Sequence, residues 1–295
     1  MITVTNLTKR FDDVTALSEA NMSVPAGAVY GLVGSNGAGK TTLIRHLSGV
    51  YRQDSGDVFI GGERVFENTA VKKRTGVIPD NLYYYPQSST LDMAKFYSGI
   101  YPSFDWECYH KLADYFPLDQ KRAIRRLSKG MQKQSAFWLA ISCRFEILLL
   151  DEPVDGLDPA MRRTVWNLLL ADMAQRSLTV VVSSHNLREL EDVCTHVGIM
   201  RGGKIVLERS LSELQGGVYK LQAAFDGLLP ETVPGMEILQ KSQHGKVYNI
   251  IARGNSADAS GLLAGFSPLF VEVIPLSLEE VFIYEMGGDN YGGIF

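Results

Sequence analysis

One stretch constrains this chain more than any other: Gly34-Ser35-Asn36-Gly37-Ala38-Gly39-Lys40-Thr41. It fits the pattern GxxxxGK(S/T), and its flanks supply the setting the pattern needs, a strand before and a helix after. Ala28 to Val33 reads as a short apolar strand opened by the turn residues Pro25-Ala26-Gly27. Leu43, Ile44 and Leu47 mark the buried face of a helix that ends near Gly49. The glycines let the backbone curl until its N–H groups point inward, and the helix N-terminus adds a dipole that favours anions. Such a loop cradles phosphates. Lys40 reaches the β- and γ-phosphates of a nucleotide, the Thr41 hydroxyl suits a Mg²⁺ ion, and Thr42 bonds the α-phosphate. The bland alternative is a chance glycine-rich turn, which both flanking elements argue against.

A second motif fits the same chemistry. Ile147-Leu148-Leu149-Leu150-Asp151-Glu152 sets two carboxylates at the end of an apolar strand, and nucleotide sites of α/β sheets lie outside the carboxyl ends of their strands. Asp151 is the candidate holder of Mg²⁺. Glu152 is the candidate general base that polarises an attacking water.

Composition excludes several other classes. Apolar residues make up 45% and charged residues 21%, ordinary for a globular chain. The net charge of -4 does not suit a general nucleic-acid binder. No apolar run approaches the ~18 residues that span a bilayer, and Met1-Ile2-Thr3-Val4-Thr5 lacks the basic and apolar regions of a signal peptide. Cys108, Cys143 and Cys194 lie far apart, which suits buried reduced thiols better than disulfides or a metal site.

With 295 residues, at about 150 per domain, the chain has room for two domains. The first ~210 residues read as mixed α/β, with strands at Ile2 to Leu7, Gly76 to Ile78, Ile147 to Leu150, Thr179 to Ser183 and Val197 to Met200. Arg201-Gly202-Gly203-Lys204 predicts a hairpin turn into Ile205-Val206-Leu207. Thr90 to Arg144 is helical in texture and predicts a helical insertion, with helices over Trp106 to Phe116 and Lys133 to Ser142. Lys121-Arg122-Ala123-Ile124-Arg125-Arg126 reads as a solvated helix face or a contact with a partner or anionic headgroups. Met22, Met93, Met161 and Met173 read as core or gap fillers. Gly216-Gly217 marks a boundary, followed by strands at Val218 to Ala223, Lys246 to Ala252 and Val271 to Ile274 and a helix at Ser256 to Ala264. Gly287 to Phe295 reads as a frayed tail.

Leu127-Ser128-Lys129-Gly130-Met131-Gln132 resembles the LSGGQ signature of ATP-binding cassette (ABC) ATPases. The order is that family's too: phosphate loop, signature, acidic strand, Pro153-Val154-Asp155-Gly156-Leu157-Asp158, then Ser183-Ser184-His185. The resemblance covers about residues 1–210. It implies an α/β fold of the P-loop NTPase class: a RecA-like mixed sheet core, an antiparallel β subdomain and a helical insertion at about 86–145. The ATP-binding domain is then 1–215, and 216–295 is a small C-terminal α+β accessory domain. The resemblance further implies ATP and Mg²⁺ as ligands and a head-to-tail dimer with two ATP molecules between subunits. Ser128 and the Gly130 N–H would cap the γ-phosphate held by the opposite subunit, and His185 would contact the γ-phosphate. Asp158 would link the two sites, or serve only an Asp-Pro turn; Phe11 would stack on adenine, or fill the core.

Three departures stand out. Lys129 and Met131 replace the signature's Gly and Gln, as in the SKGM forms of ABC-2-type exporter ATPases. The family's Q-loop glutamine falls at Asp80, after Gly76-Val77-Ile78-Pro79. A carboxylate there can still face a hard cation, or Asp80 is an ordinary loop residue. Tyr83-Tyr84-Tyr85-Pro86 lies where the family receives a helix of the membrane subunit, or its rings pack in the core of the insertion, and Leu276-Ser277-Leu278-Glu279-Glu280-Val281-Phe282 resembles the C-terminal helix of exporter-type ATPases. The reading is the ATP-hydrolysing subunit of an ABC-2-type exporter, peripheral on the cytoplasmic face of the membrane. Its partners would be a second copy or a paralogous subunit and a separate integral membrane permease, with no nucleic acid. The alternatives are a non-transport ABC ATPase, acting on ribosomes or in repair, and a degenerate module that holds ATP without hydrolysis. One phosphate loop in 295 residues argues against the first, and intact Lys40, Asp151, Glu152 and His185 against the second.

Overall fold

The structure, a computed structural model, describes residues 1–213, 218–226, 229, 232–254, 256–274, 276–277 and 279–280. The Gly216-Gly217 boundary, the tail from Gly287 and part of the segment 276–282 lie outside the described residues. The chain divides into two compact units, one of residues 1–186 with 193–208, the other of 187–192 with 209–295.

The first unit begins with the long strands β1 (Ile2–Phe11) and β2 (Val14–Val24), then β3 (Val29–Val33) and α1 (Lys40–Leu47). Next come β4 (Ser55–Ile60), β5 (Glu63–Arg64), α2 (Thr69–Lys73) and β6 (Thr75–Ile78). Three helices follow: α3 (Thr90–Ile100), α4 (Trp106–Leu112) and α5 (Lys129–Ser142). The unit closes with β7 (Ile147–Asp151), α6 (Pro159–Gln175), β8 (Thr179–Ser184), β9 (His196–Arg201) and β10 (Lys204–Ser210), whose last residues belong to the second unit. Strands β2-β1-β4-β5 form an antiparallel sheet, and β10-β9-β3-β8-β7-β6 form a second sheet. Within the second sheet β9, β3, β8, β7 and β6 run parallel. Its central strands β3, β7 and β8 are buried along their whole length, which is why they read as unbroken apolar runs. Tyr30 and Leu32 of β3, Leu149, Val181 and the α1 residues Leu43, Ile44 and Leu47 share one core with Ile2, Val4, Leu17 and Met22 of the antiparallel sheet.

The helices are shaped by their caps. Ser89 and Asp92 form a reciprocal capping box at α3, and Asp105 caps α4. In α5 every residue from Lys133 to Ser142 is buried. Trp138 stacks on Tyr109 with ring centroids 4.8 Å apart and donates its indole N–H to the Tyr109 carbonyl at 2.8 Å. Burial pushes Cys143 up to about 12 and also raises Cys108 and Cys194, so all three are poor thiolates.

Three expectations need correction. The basic run 121–126 is no helix face: only Ile124–Arg126 forms a single 3₁₀ turn, because Ile124 tucks inward while the charged residues stay exposed. The helix over Trp106 to Phe116 ends at Leu112. Met22 and Met93 are buried, whereas Met161 and Met173 on α6 are only half-buried. Of the three consecutive tyrosines, Tyr84 is buried and Tyr83 and Tyr85 are exposed.

In the second unit, β11 (Val218–Ala224), β12 (Glu237–His244), β13 (Val247–Arg253) and β14 (Phe270–Ile274) form an antiparallel sheet ordered β12-β13-β11-β14. Helix α7 (Ser256–Ala264) contributes Ala259 and Leu263 to a core with Leu221, Tyr248 and Ile250.

Candidate active site

Strand register gathers the candidate residues. Gly31, Leu32 and Val33 of β3 lie beside Val182, Ser183 and Ser184 of β8, and Asp151 of β7 lies beside Ser183. Ile78 of β6 pairs with Leu150, so Asp80 leaves the sheet next to the acidic strand. The phosphate loop, Asp80, Asp151, Glu152 and His185 therefore all emerge at the carboxyl ends of adjacent strands.

The loop is held by its glycines and by the turn between β9 and β10. Gly37 and Gly39 have φ of 82° and 110°, open only to glycine at low cost. A Cβ on Gly34 would meet the Met200 carbonyl oxygen at 2.4 Å. The Gly203 N–H donates to the Ala38 carbonyl at 3.0 Å. Lys40 is buried; its Nζ donates to the Gly34 carbonyl at 2.6 Å and the Ser35 carbonyl at 3.3 Å. A cleft of about 300 Å³ runs along this loop, lined by Ser35 to Thr42, by Val14, Thr15 and Ala16 of β2, and by Asp80 and Glu152.

Glu152 is the centre of the polar network. Its Oε1 lies 3.3 Å from Lys40 Nζ, and its Oε2 lies 3.0 Å from His185 Nδ1. Its backbone is left-handed, with φ of 45°, a conformation that costs a non-glycine residue about 1–2 kcal/mol. Both adjoining peptides are pinned: the Glu152 N–H donates to Ser183 Oγ at 3.0 Å, and Lys133 Nζ donates to the Glu152 carbonyl at 2.5 Å. Ser183 Oγ in turn donates to Asp151 Oδ1 at 2.7 Å, fixing the buried first carboxylate. Burial lowers the pKa of Lys133, opposed by Asp155, Asp80, Glu152 and Asp151 around it.

Other candidates sit apart from this network. Ser128 caps α5 and accepts the Met131 N–H; Asp158 caps α6 and accepts the Met161 N–H at 2.9 Å. Gly130 packs against the loop after β7, where a Cβ would come within 2.6 Å of the Gly156 carbonyl oxygen. The Phe11 ring is 39% exposed and meets Tyr51 edge-on at 5.3 Å.

Sequence reasoning missed Lys133 and the clamp on Glu152. The available signal was a lysine at the head of an otherwise apolar helical stretch. It also missed β2, whose first residues line the cleft.

The ABC transporter domain family matches residues 17–155. An uncharacterised ABC transporter ATP-binding protein of Methanocaldococcus jannaschii, MJ1023, is 32% identical over 70% of this chain and 76% of its own length. The chain belongs to the ABC transporter ATP-binding protein family. It is an ABC ATPase with the P-loop NTPase fold. The ABC transporter ATP-binding protein YtrB of Bacillus subtilis is 28% identical over 98% of this chain and 99% of its own. The bacitracin transport ATP-binding protein BcrA of Bacillus licheniformis is 27% identical over 99% of both chains. The dimeric post-hydrolysis state of the ATP-binding cassette MJ0796, bound to ADP and Pi, shares the fold of this cassette with a TM-score of 0.62 at 20% identity, covering 72% of this chain and 99% of its own. Among the described residues no helix is long and apolar enough to cross a membrane.

Proposed function

We propose that this cassette is the ATPase subunit of an ABC-2-type exporter, working as an ATP-sandwich dimer beneath a separate integral membrane permease. The dimer is a homodimer or a pairing with a paralogous ATPase, peripheral on the cytoplasmic face of the membrane. The end-to-end likeness to BcrA, a bacitracin transport protein by name, supports the exporter reading, as does the Ser128-Lys129-Gly130-Met131 signature.

The observation that carries the catalytic reading is the placement of Lys40 and His185 on opposite oxygens of Glu152, at 3.3 and 3.0 Å. ATP phosphates enter the loop from Gly34 to Thr42, where Lys40 exchanges its loop carbonyls and Glu152 for the β- and γ-phosphate oxygens. Glu152, released from Lys40, takes a proton from the water that attacks the γ-phosphorus, while the bond from that phosphorus to the β–γ bridging oxygen breaks and ADP leaves with the electron pair. His185 holds the other Glu152 oxygen and then the γ-phosphate. Hard oxygen donors from Thr41, Asp151 and Asp80 fit Mg²⁺; bound there, the ion would neutralise phosphate charge. Phe11 stacks on adenine. Ser128 and the Gly130 N–H serve the partner's ATP, favoured by the N-terminal dipole of α5, and Asp158 joins the two sites.

Glu152→Gln tests the reading. The amide keeps the shape but cannot accept a proton, so turnover is expected to fall about 10²–10⁴-fold while ATP binding persists and an ATP-bound dimer accumulates on gel filtration. Near-normal turnover would remove Glu152 from the role of base. Recovery of a polytopic membrane protein with the tagged cassette from detergent extracts tests the exporter assignment.

A further inference from the structure

Lys133 has no place in the roles above, yet it is among the most constrained charged groups of the molecule. It is 5% exposed, on the second turn of α5, the helix that Ser128 caps. Its ammonium donates to the Glu152 carbonyl at 2.5 Å and lies 3.9 Å from Asp80 Oδ1. Asp155 and Asp151 face it as well. A buried cation costs heavily unless paired and hydrogen-bonded, so an ammonium in this place needs these partners. The Glu152 peptide needs a restraint in return, because a left-handed glutamate persists only where its surroundings over-determine it. Ser183 supplies that restraint on the N–H side and Lys133 on the carbonyl side. Lys133 also stands against Asp80, whose carboxylate adds a negative charge at the Q-loop position.

We propose that Lys133 is a positioning residue for hydrolysis: its buried ammonium clamps the Glu152 backbone so that the carboxylate meets the water, and it offsets the charge of Asp80 beside the site. The proposal rests on the reading of Glu152 as base. It also links three segments through one atom: the signature helix, the acidic strand and the loop after β6. A change in the pitch of α5 therefore reaches the Glu152 peptide directly.

The test is a double-mutant cycle. Lys133→Met keeps the length and apolar stem but removes the donor. It is expected to lower kcat about tenfold or more, the loss typical of one charge-assisted hydrogen bond. ATP affinity, read by titration of a fluorescent nucleotide, stays within about threefold, because the phosphate loop is untouched. Lys133→Gln keeps an N–H donor and is expected to retain more of kcat than the Met variant. In the Glu152→Gln background Lys133→Met adds less than about twofold, since a clamp on a lost base has nothing left to position. Wild-type kcat in Lys133→Met would overturn the proposal, and so would equal losses in kcat and affinity. A full additive loss in the double variant, with Glu152→Gln alone slow, would overturn it while leaving Glu152 as base. Near-normal turnover of Glu152→Gln alone would remove both. Should Lys133→Met not fold, the same cycle with Lys133→Gln decides, with equal effects in both backgrounds counting against the clamp.

Discussion

Lys40 is bonded to two carbonyls of its own loop and to Glu152. The ammonium is thus paired and buried, and on the proposed reading phosphate oxygens take the place of those partners. Lys40→Ala is expected to lower ATP affinity by about a hundredfold, near the upper range for a charge-assisted hydrogen bond. Wild-type affinity in a nucleotide titration would sink the phosphate-loop assignment. Lys40, Thr41, Asp151 and Glu152 were legible in the sequence because glycine spacing and an apolar strand ending in two acids leave few other uses for them. Lys133 and Ser183 were not legible as partners of Glu152. Their targets lie 19 and 31 residues away in sequence, and only the parallel register of β7 and β8 brings Ser183 to Asp151 and Glu152.

Among the elements, β3, β7 and β8 announced themselves as apolar runs, whereas β2 and α6 did not. The buried residues of β2 are Leu17, Ala20, Met22 and Val24. Glu19 has a φ of 50° and the pairing with β1 shifts register beside it, so the two-residue alternation breaks in mid-strand. In α6 only Val165, Trp166, Leu169 and Asp172 are buried, a sparse stripe on a helix whose other apolar residues stay half-buried or exposed. Its start is marked all the same, by Asp158 as cap with Pro159 behind it. Helix α5 meets the loop after β7 so closely that Gly130 has no room for a methyl group against the Gly156 carbonyl. Gly130→Ala must push backbone from backbone, at an expected cost of about 1–3 kcal/mol. A urea denaturation midpoint equal to wild type would show that the contact gives way freely.

For the whole molecule, the sandwich reading makes a claim that one subunit alone cannot satisfy. Ser128→Arg should bind ATP yet fail to hydrolyse it, and Lys40→Ala should fail to bind. Mixed together, the two are expected to recover part of the ATPase activity that each lacks, because one of the two sites in a mixed dimer carries neither lesion. A phosphate-release assay on the mixture reads this directly. No recovery, with mixed dimers present on gel filtration, would count against composite sites that turn over singly. The α/β core and the accessory sheet were foreseeable from their strand patterns, but one detail of the division was not. Residues 187–192 belong to the second unit although they lie deep inside the first by sequence. They begin two residues after His185, contribute the fully buried Leu187 and Leu190, and place Arg188 on Glu279 at 2.8 Å. The chain therefore leaves the first unit two residues after His185 and returns to it at Val193. A gene cut after residue 208 would keep residues 187–192 yet remove Glu279, the carboxylate that Arg188 meets.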